Sequence, residues 1–311
     1  MDKPFFTYDE QIKKLKNKGL NICDENFARE KLKEVGYYHL ITGYKDLFRN
    51  NTVKKYKYGV DFKDIYSLYT FDRDLRELFF KYLQIVERTL GSHISYYFCE
   101  KYGNNQLAYL DQNNYNNITR NMAHINKLIG ILNKLANQSS GYKYIMYYQN
   151  KYGNVPLWIL INAVTFGSKS KMYDLLESDI QSKISKEYYG LNESTLRQTI
   201  KFVTKFRNVC AHGNRLYNYK SNENMPDTII HHKLLIPKIG SQYIHGKKDL
   251  FGLVIAFRYL LSKNDFSNFK YALDKLIRHL LSDTSFITEK DILEQMGFPL
   301  NWKRITLFRN Y

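Results

Sequence analysis

The chain has 311 residues, 44% of them hydrophobic, and its 5 prolines and 16 glycines are too few for a turn-dense β fold. Its 47 Lys and Arg residues against 30 Asp and Glu residues give a formal net charge of +17, which favours a polyanionic partner. Three scattered cysteines argue against a disulfide framework or a zinc site, and the most apolar run, residues 250–261, is too short to span a bilayer. We therefore expect a soluble, cytoplasmic protein.

Helical spacing dominates the first sixty residues. It predicts a helix over residues 8–18 that ends at Gly19, and a second helix after the N-cap Asp24. A short apolar segment (37–48) and a polar, basic linker (49–59) complete this region.

The longest periodic segment follows, over residues 61–102, and we expect this helix to kink or break near Gly91. The Asn-rich stretch 104–117 is expected to be a loop, residues 212–227 are loop-like, and residues 228–237 are the best candidate for a short β segment. The periodicity predicts further helices at residues 118–136, 156–164, 168–176, 194–211, 249–261, 266–281 and 289–296.

Tyrosines accompany the basic residues in places. In the run KKYKY (54–58) the rings are suited to stacking on unpaired bases, so RNA is one partner that fits both features. The alternative is compositional, because Lys, Asn, Tyr and Ile are together abundant in the products of AT-rich genomes.

The residues best suited to chemistry are Arg207, Asn208 and His212, in the segment RNVCAHGNRLYN. A histidine can act as a base or an acid near neutral pH, and an arginine fork matches phosphate oxygens. Asn208 and His212 are four residues apart and share a helix face, whereas Arg207 is five residues from His212. Because Gly213 favours a helix stop, we expect the helix to end at His212.

The Arg-x4-His spacing alone is a weak signal. Arg88 and His93 repeat it elsewhere in the chain, and an Arg and a His near a helix end are more often surface or capping groups.

Four ordered blocks add to that signal. RNVCAHGNRLYN resembles the catalytic block of the Abi-like abortive-infection family (AbiD and AbiF), whose members are HEPN proteins. FFTYDEQIKKLKNKGLNI with YYHLITGY, LYTFDRDLRELF with IVERTL, and VPLWILINAVTFGSKSKMYDLL are similar to its other blocks in the same order, and LRQTIKFVTKFRN leads into the catalytic block.

The resemblance implies an all-α fold: an N-terminal helical extension (1–60), a HEPN-type helical core with the R-x4-H motif (61–218) and a C-terminal helical region (219–311). It also implies a homodimer that cuts RNA without a metal or other cofactor, leaving a 2′,3′-cyclic phosphate, in phage defence or a toxin–antitoxin system. A small non-coding RNA is the implied neutraliser.

The resemblance extends to supporting residues. Arg73, Arg76 and Glu87 match the first core helix of the family, and Arg215 lies in the catalytic block; these groups either bind RNA and orient Arg207 or form an ion network between helices. The chain departs from the family pattern at three positions: Gly213 replaces a second histidine, Tyr217 a tryptophan and Asn162 an acidic residue.

Other interpretations have less support. The same fold can serve as a non-catalytic RNA-binding module, with Arg207 and His212 as phosphate contacts only. No helix-turn-helix spacing favours a DNA-binding regulator. Two further features are expected to be structural: the histidines 231, 232 and 245, which lack the spacing of metal ligands, and residues 165–168, a tight helix junction with Gly167 at the turn and Ser168 as cap.

Overall fold

Helices form most of the structure, as the composition predicted. The computed structural model describes residues 4–50, 52–137 and 141–307, and over these ranges the fold is all-α with two small antiparallel hairpins. The α-helices are α1 (Tyr8–Lys16), α2 (Glu25–Val35), α3 (Phe62–Tyr102), α4 (Gln106–Leu110), α5 (Met122–Asn137), α6 (Lys143–Tyr152), α7 (Leu157–Leu160), α8 (Phe166–Leu175), α9 (Ser178–Lys186), α10 (Glu193–Ala211), α11 (Ile229–Lys233), α12 (Leu250–Leu260), α13 (Lys263–Asp283) and α14 (Glu289–Met296). The hairpin strands are β1 (Arg49–Asn50) with β2 (Lys55–Tyr56), and β3 (Lys238–Ile239) with β4 (Gln242–Tyr243).

The 41-residue helix α3 is the element on which the others assemble. Asp61 is its N-cap, and its side chain and that of Asp64 form a capping box. Apolar residues on several sides of α3 are buried, because α13, α10, α8 and α9 all pack against it. A single hydrophobic cluster extends from Ile12 to Ile305.

The predicted break at Gly91 is wrong, since α3 runs through it without interruption. A Cβ at Gly91 would lie 3.3 Å from both Ile161 Cγ1 and Lys169 Cε. The glycine therefore allows a close approach of neighbouring side chains.

Helix α10 ends where the sequence predicted. Asn192 caps its start, and Leu196, Ile200 and Val203 bury one face against α3 and α12 at three- and four-residue spacing. The helix ends at Ala211 with His212 as the C-cap, followed by Gly213 at φ +65°.

Several boundaries differ from the prediction. The expected loop 104–117 contains α4, the expected linker 49–59 contains the β1–β2 hairpin, and α7 is shorter than the predicted helix 156–164. The expected β segment 228–237 contains α11, because Thr228 and His231 form a capping box. Thr165, not Ser168, caps α8, and Gly167 lies within that helix. Helices α6 and α9 were not predicted.

The other predicted helices are confirmed within a few residues of their bounds, and Asp24 caps α2 as expected, its carboxylate accepting from the Phe27 N–H at 2.9 Å. In the described part of the chain no helix is both long and apolar enough to cross a membrane. The division at residues 60/61 and 218/219 stays a prediction.

Candidate active site

Arg207 leaves α10 near its C-terminal end and turns toward α3. Its Nε lies 3.3 Å from Glu87 Oε2, and the other carboxylate oxygen, Oε1, lies 3.7 Å from Lys169 Nζ on α8. Glu87 therefore joins three helices through two cations. The side chains of Glu87 and Lys169 are 14% and 5% exposed, so solvent screens this contact far less than a surface ion pair.

Lys169 is the most unusual member of the group, because a lysine that is almost fully buried is rare. Gly91, one turn after Glu87, leaves room for it, since a Cβ there would lie 3.3 Å from its Cε and 3.4 Å from its Nζ. Burial lowers the pKa of Lys169, Glu87 opposes that shift, and the positive charge of Arg207 adds to it.

A cleft of about 380 Å³ opens beside this ion group. Its lining consists of three cations, one carboxylate and two amides: Arg88, Lys169, Arg207, Glu87, Gln84 and Asn162. The surplus of positive charge suits a phosphate group. Asn162, where the family pattern has an acidic residue, thus adds an uncharged amide to the cleft.

Asn208 and His212 lie on the other side of α10. Both are exposed, whereas Arg207 is half-buried. Five residues on an α-helix correspond to a rotation of about 140°, so Arg207 and His212 diverge, whereas Asn208 and His212 are only about 40° apart. Within the described ranges no hydrogen bond or ion pair joins Arg207 to His212.

The segment after His212 is fixed by a buried carboxylate that sequence reasoning did not select. Asp72 on α3 is fully buried; it accepts from the N–H groups of Leu216 (3.1 Å) and Tyr217 (2.7 Å) and from the Tyr44 hydroxyl (2.7 Å). Arg76, one turn along α3, pairs with the same carboxylate. Burial raises the pKa of Asp72, and Arg76 together with these hydrogen bonds opposes the rise.

Arg76 and Arg215 line a second cleft, of about 430 Å³, together with Gly213, Asn214 and Tyr44. Arg215 donates to the Gly43 carbonyl oxygen, which ties the loop after α10 to the N-terminal region. The structure thus places Glu87 and Arg207 at one cleft and Arg76 and Arg215 at another, whereas Asn208 and His212 line neither of the two.

Arg73 joins neither group. It pairs with Asp74, the next residue along α3, at 3.0 Å, and nearly half of its side chain is exposed.

A comparison with protein families identifies the chain. The model of the Abi-like protein family matches residues 30–218, more than half of the sequence. The chain belongs to the Abi-like protein family. No curated protein and no solved structure matches it.

All seven predicted site residues of this Abi-like protein lie inside the matched range, as do Asp72 and Lys169, which sequence reasoning missed. A signal for Asp72 was present, since Asp72 and Arg76 are four residues apart on a predicted helix. No local pattern marks Lys169, because its partner Glu87 is 82 positions earlier in the chain.

Two other polar groups of this Abi-like protein are held in structural roles. His231 is buried, its Nδ1 accepts from the Thr228 N–H at 3.1 Å, and its Nε2 lies 3.0 Å from the Gly246 carbonyl oxygen, which requires the Nε2–H tautomer. Burial raises the pKa of Cys210 to about 12, which disfavours a thiolate nucleophile beside His212. In the described ranges no group of three or more His, Cys, Asp or Glu residues is placed to hold a metal ion.

The KKYKY run is divided between core and solvent. Tyr56 is buried, and Tyr58 is fully exposed. Only Tyr58 is therefore available to stack on a base.

Proposed function

We propose that this Abi-like protein is a metal-independent RNA endonuclease that cuts by attack of the ribose 2′-hydroxyl and leaves a 2′,3′-cyclic phosphate. The observation that carries the proposal is the setting of Arg207. Glu87 holds the guanidinium through Nε, while its other nitrogens have no hydrogen-bond partner among the described residues and line a cleft with Arg88 and Lys169. A guanidinium held in this way is oriented for a phosphate.

The proposed reaction needs proton transfer at the attacking or leaving oxygen and stabilisation of negative charge on the phosphate. His212, exposed at the helix end, removes the 2′-hydroxyl proton or protonates the leaving 5′-oxygen, and Asn208 on the same face positions it. Arg207 stabilises the charge that develops on the phosphate. Acid–base catalysis of this kind contributes about 10²–10⁴ in rate, and a pre-oriented charge contributes about 10²–10³.

Helical geometry directs Arg207 and His212 about 140° apart around α10, which disfavours contact of both with one linkage in a single chain. We therefore place the reaction between two copies of the chain, with the motifs of the two helix ends facing one RNA strand. This arrangement agrees with the expected homodimer.

Membership of the Abi-like family indicates a role in phage defence by abortive infection. In the proposed scheme the cleavage of host or phage RNA arrests growth, and a small non-coding RNA neutralises the enzyme in uninfected cells.

The test is cleavage of a structured RNA by purified protein in the presence of excess EDTA. The parent should cut, and His212→Ala and Arg207→Ala should each cut at least a hundredfold more slowly. His279→Ala and Arg278→Ala are matched controls, because both are exposed side chains on α13, far along the chain from the motif, and they should cut at the parent rate.

Two outcomes would contradict the proposal. Parent-like cleavage by His212→Ala would remove the histidine from the chemistry. Tight RNA binding without any cleavage would support instead the non-catalytic RNA-binding module.

A further inference from the structure

Helix α6 is poorly buried for a helix in a folded protein. Of its ten residues only Ile145 is buried, and Tyr144, Met146, Tyr147 and Tyr152 are between 38% and 56% exposed. Three exposed tyrosines and an exposed methionine on one short helix are a feature of the kind that marks an interaction site. We call Tyr144, Tyr147 and Tyr152, together with Lys143 and Lys151, the α6 surface.

The rings of the α6 surface are arranged around a lysine. Lys151 Nζ lies 5.3 Å from the ring centroid of Tyr147 and 5.4 Å from that of Tyr152, and it donates to the Tyr147 hydroxyl at 2.8 Å. The two rings lie 6.2 Å apart at a steep angle. An ammonium group beside two exposed aromatic rings can contact both parts of a nucleotide, because the base can stack on a ring and the phosphate can pair with the cation.

The segment of chain that contains α6 carries charge of one sign. Residues 112–173 contain no Asp or Glu at all, although this stretch is a fifth of the chain. Its basic residues are Arg120, Lys127, Lys134, Lys143, Lys151, Lys169 and Lys171. A polyanion therefore meets no opposing carboxylate from this segment, whereas a second copy of the same basic surface would be repelled.

The chain that follows α6 leads to the Arg207 cleft. Helix α6 packs against α7, on which Trp158 is 43% exposed. The Asn162 side chain donates to the Trp158 carbonyl oxygen at 3.0 Å and also lines the cleft with Arg207. A strand that follows this path passes from the α6 rings, over residues of the segment 112–173, to the cations of the Arg207 cleft, where Glu87 is the one lining carboxylate among the described residues.

We propose that the α6 surface binds single-stranded RNA by stacking unpaired bases on Tyr147 and Tyr152, and that it guides the strand to the Arg207 cleft. Single strands are the class that fits, because only unpaired bases expose their faces to a protein ring. The inference rests on the proposed function, since it names where that enzyme holds the RNA beside the linkage it cuts.

The experiment measures binding and cleavage separately. Binding is followed by fluorescence anisotropy of a labelled 12-nucleotide single-stranded RNA on His212→Ala protein, so that cleavage does not interfere. Adding Tyr147→Ala and Tyr152→Ala should weaken this binding at least tenfold, because each lost stacking contact weakens binding about fivefold or more. Tyr147→Phe with Tyr152→Phe, which keeps the rings, should bind within about twofold of the starting protein.

Matched controls show whether the effect belongs to this surface. Tyr189 and Tyr271 are exposed tyrosines outside the acid-free segment, and replacing both by Ala should leave single-strand binding unchanged. For a duplex of the same sequence, the Tyr147→Ala and Tyr152→Ala substitutions should weaken binding less than threefold. Circular dichroism of each variant checks that the fold is retained.

Three results would overturn the inference: binding of the Tyr147→Ala/Tyr152→Ala protein within twofold of its parent, a change of oligomeric state caused by these substitutions, or tighter binding to anionic phospholipid vesicles than to RNA. Failure of the proposed function has a different signature. In that case protein with His212 intact cuts no RNA, a dinucleotide substrate included, while the loss of single-strand binding persists.

Discussion

The substitution Asp72→Ala tests whether the segment after His212 is held by one buried carboxylate. It leaves three donors without their acceptor, namely the Leu216 and Tyr217 N–H groups and the Tyr44 hydroxyl, and it leaves Arg76 without its counter-charge. Removal of one partner from a buried ion pair costs about 3–5 kcal/mol. Each buried donor left unsatisfied costs about 1–3 kcal/mol, although water that enters the site recovers part of this.

We therefore expect Asp72→Ala to lower the free energy of unfolding by at least about 4 kcal/mol, a large fraction of the 5–15 kcal/mol that is typical of a domain. Urea denaturation followed by circular dichroism is the assay. Asp74→Ala is the matched control, because Asp74 is on the same helix, is partly exposed and pairs with Arg73 alone among the described residues. This variant should lose less than about 1 kcal/mol of the free energy of unfolding.

A double-mutant cycle measures the interaction between Asp72 and Arg76 directly. The double variant Asp72→Ala/Arg76→Ala should lose less free energy of unfolding than the sum of the losses of the two single variants, because neither charge is then buried without its partner. Asp72 does not hold this segment in the way described if Asp72→Ala loses no more stability than Asp74→Ala, or if the losses of the two single variants simply add.

Three further predictions follow from buried or shared contacts. Lys169→Met should keep the fold, because burying a methionine avoids the desolvation of a charge. The variant should nevertheless cut RNA about tenfold more slowly, because the Glu87 carboxylate loses one of its two cations, and an unchanged cleavage rate would contradict this role. Burial raises the pKa of Asp249 to about 6, above the unfolded value near 3.9, so its stabilising contribution is complete below pH 4 and is lost as the pH rises through 6. Asp249→Asn keeps the helix cap, and its stability relative to the parent should therefore increase by about 2 kcal/mol between pH 4.5 and pH 7.5. A stability difference that does not change with pH would oppose the prediction. Gly297→Ala should lower the melting temperature clearly, because a Cβ there would lie 2.3 Å from Asp249 Cγ at a residue with φ +76°; a melting temperature equal to that of the parent would count against the packing described.

Signals that act over a few residues carried most of the fold prediction. The end of α10 at His212 followed from Gly213, whose positive φ ends the helix, and the start of α2 followed from the side chain of Asp24. Gly91 shows the limit of such signals. The residue looked like a break in a long helix, but its neighbours Ile161 and Lys169 come from another part of the chain and need the space.

The sequence named some residues of the candidate site, missed Asp72 and Lys169, and did not give the arrangement. The motif block and the first core helix named Arg207 and Glu87, and the structure brings them together at 3.3 Å. Arg76, grouped with Glu87 in the sequence, instead pairs with Asp72 on the side toward the loop. Eleven positions along a helix separate two residues by about 16 Å, so they meet different neighbours, and only the packed structure decides which neighbours these are.

The most direct measurement is the cleavage of an RNA that carries a single 2′-deoxyribose immediately before the cut site. We expect cleavage at this position to stop, while the all-ribose RNA should yield a 2′,3′-cyclic phosphate and a 5′-hydroxyl in the presence of EDTA. Cleavage at the deoxy-substituted position, or products with a 3′-hydroxyl and a 5′-phosphate, would rule out the proposed mechanism, because neither result passes through attack by the 2′-hydroxyl that Arg207 and His212 are proposed to promote.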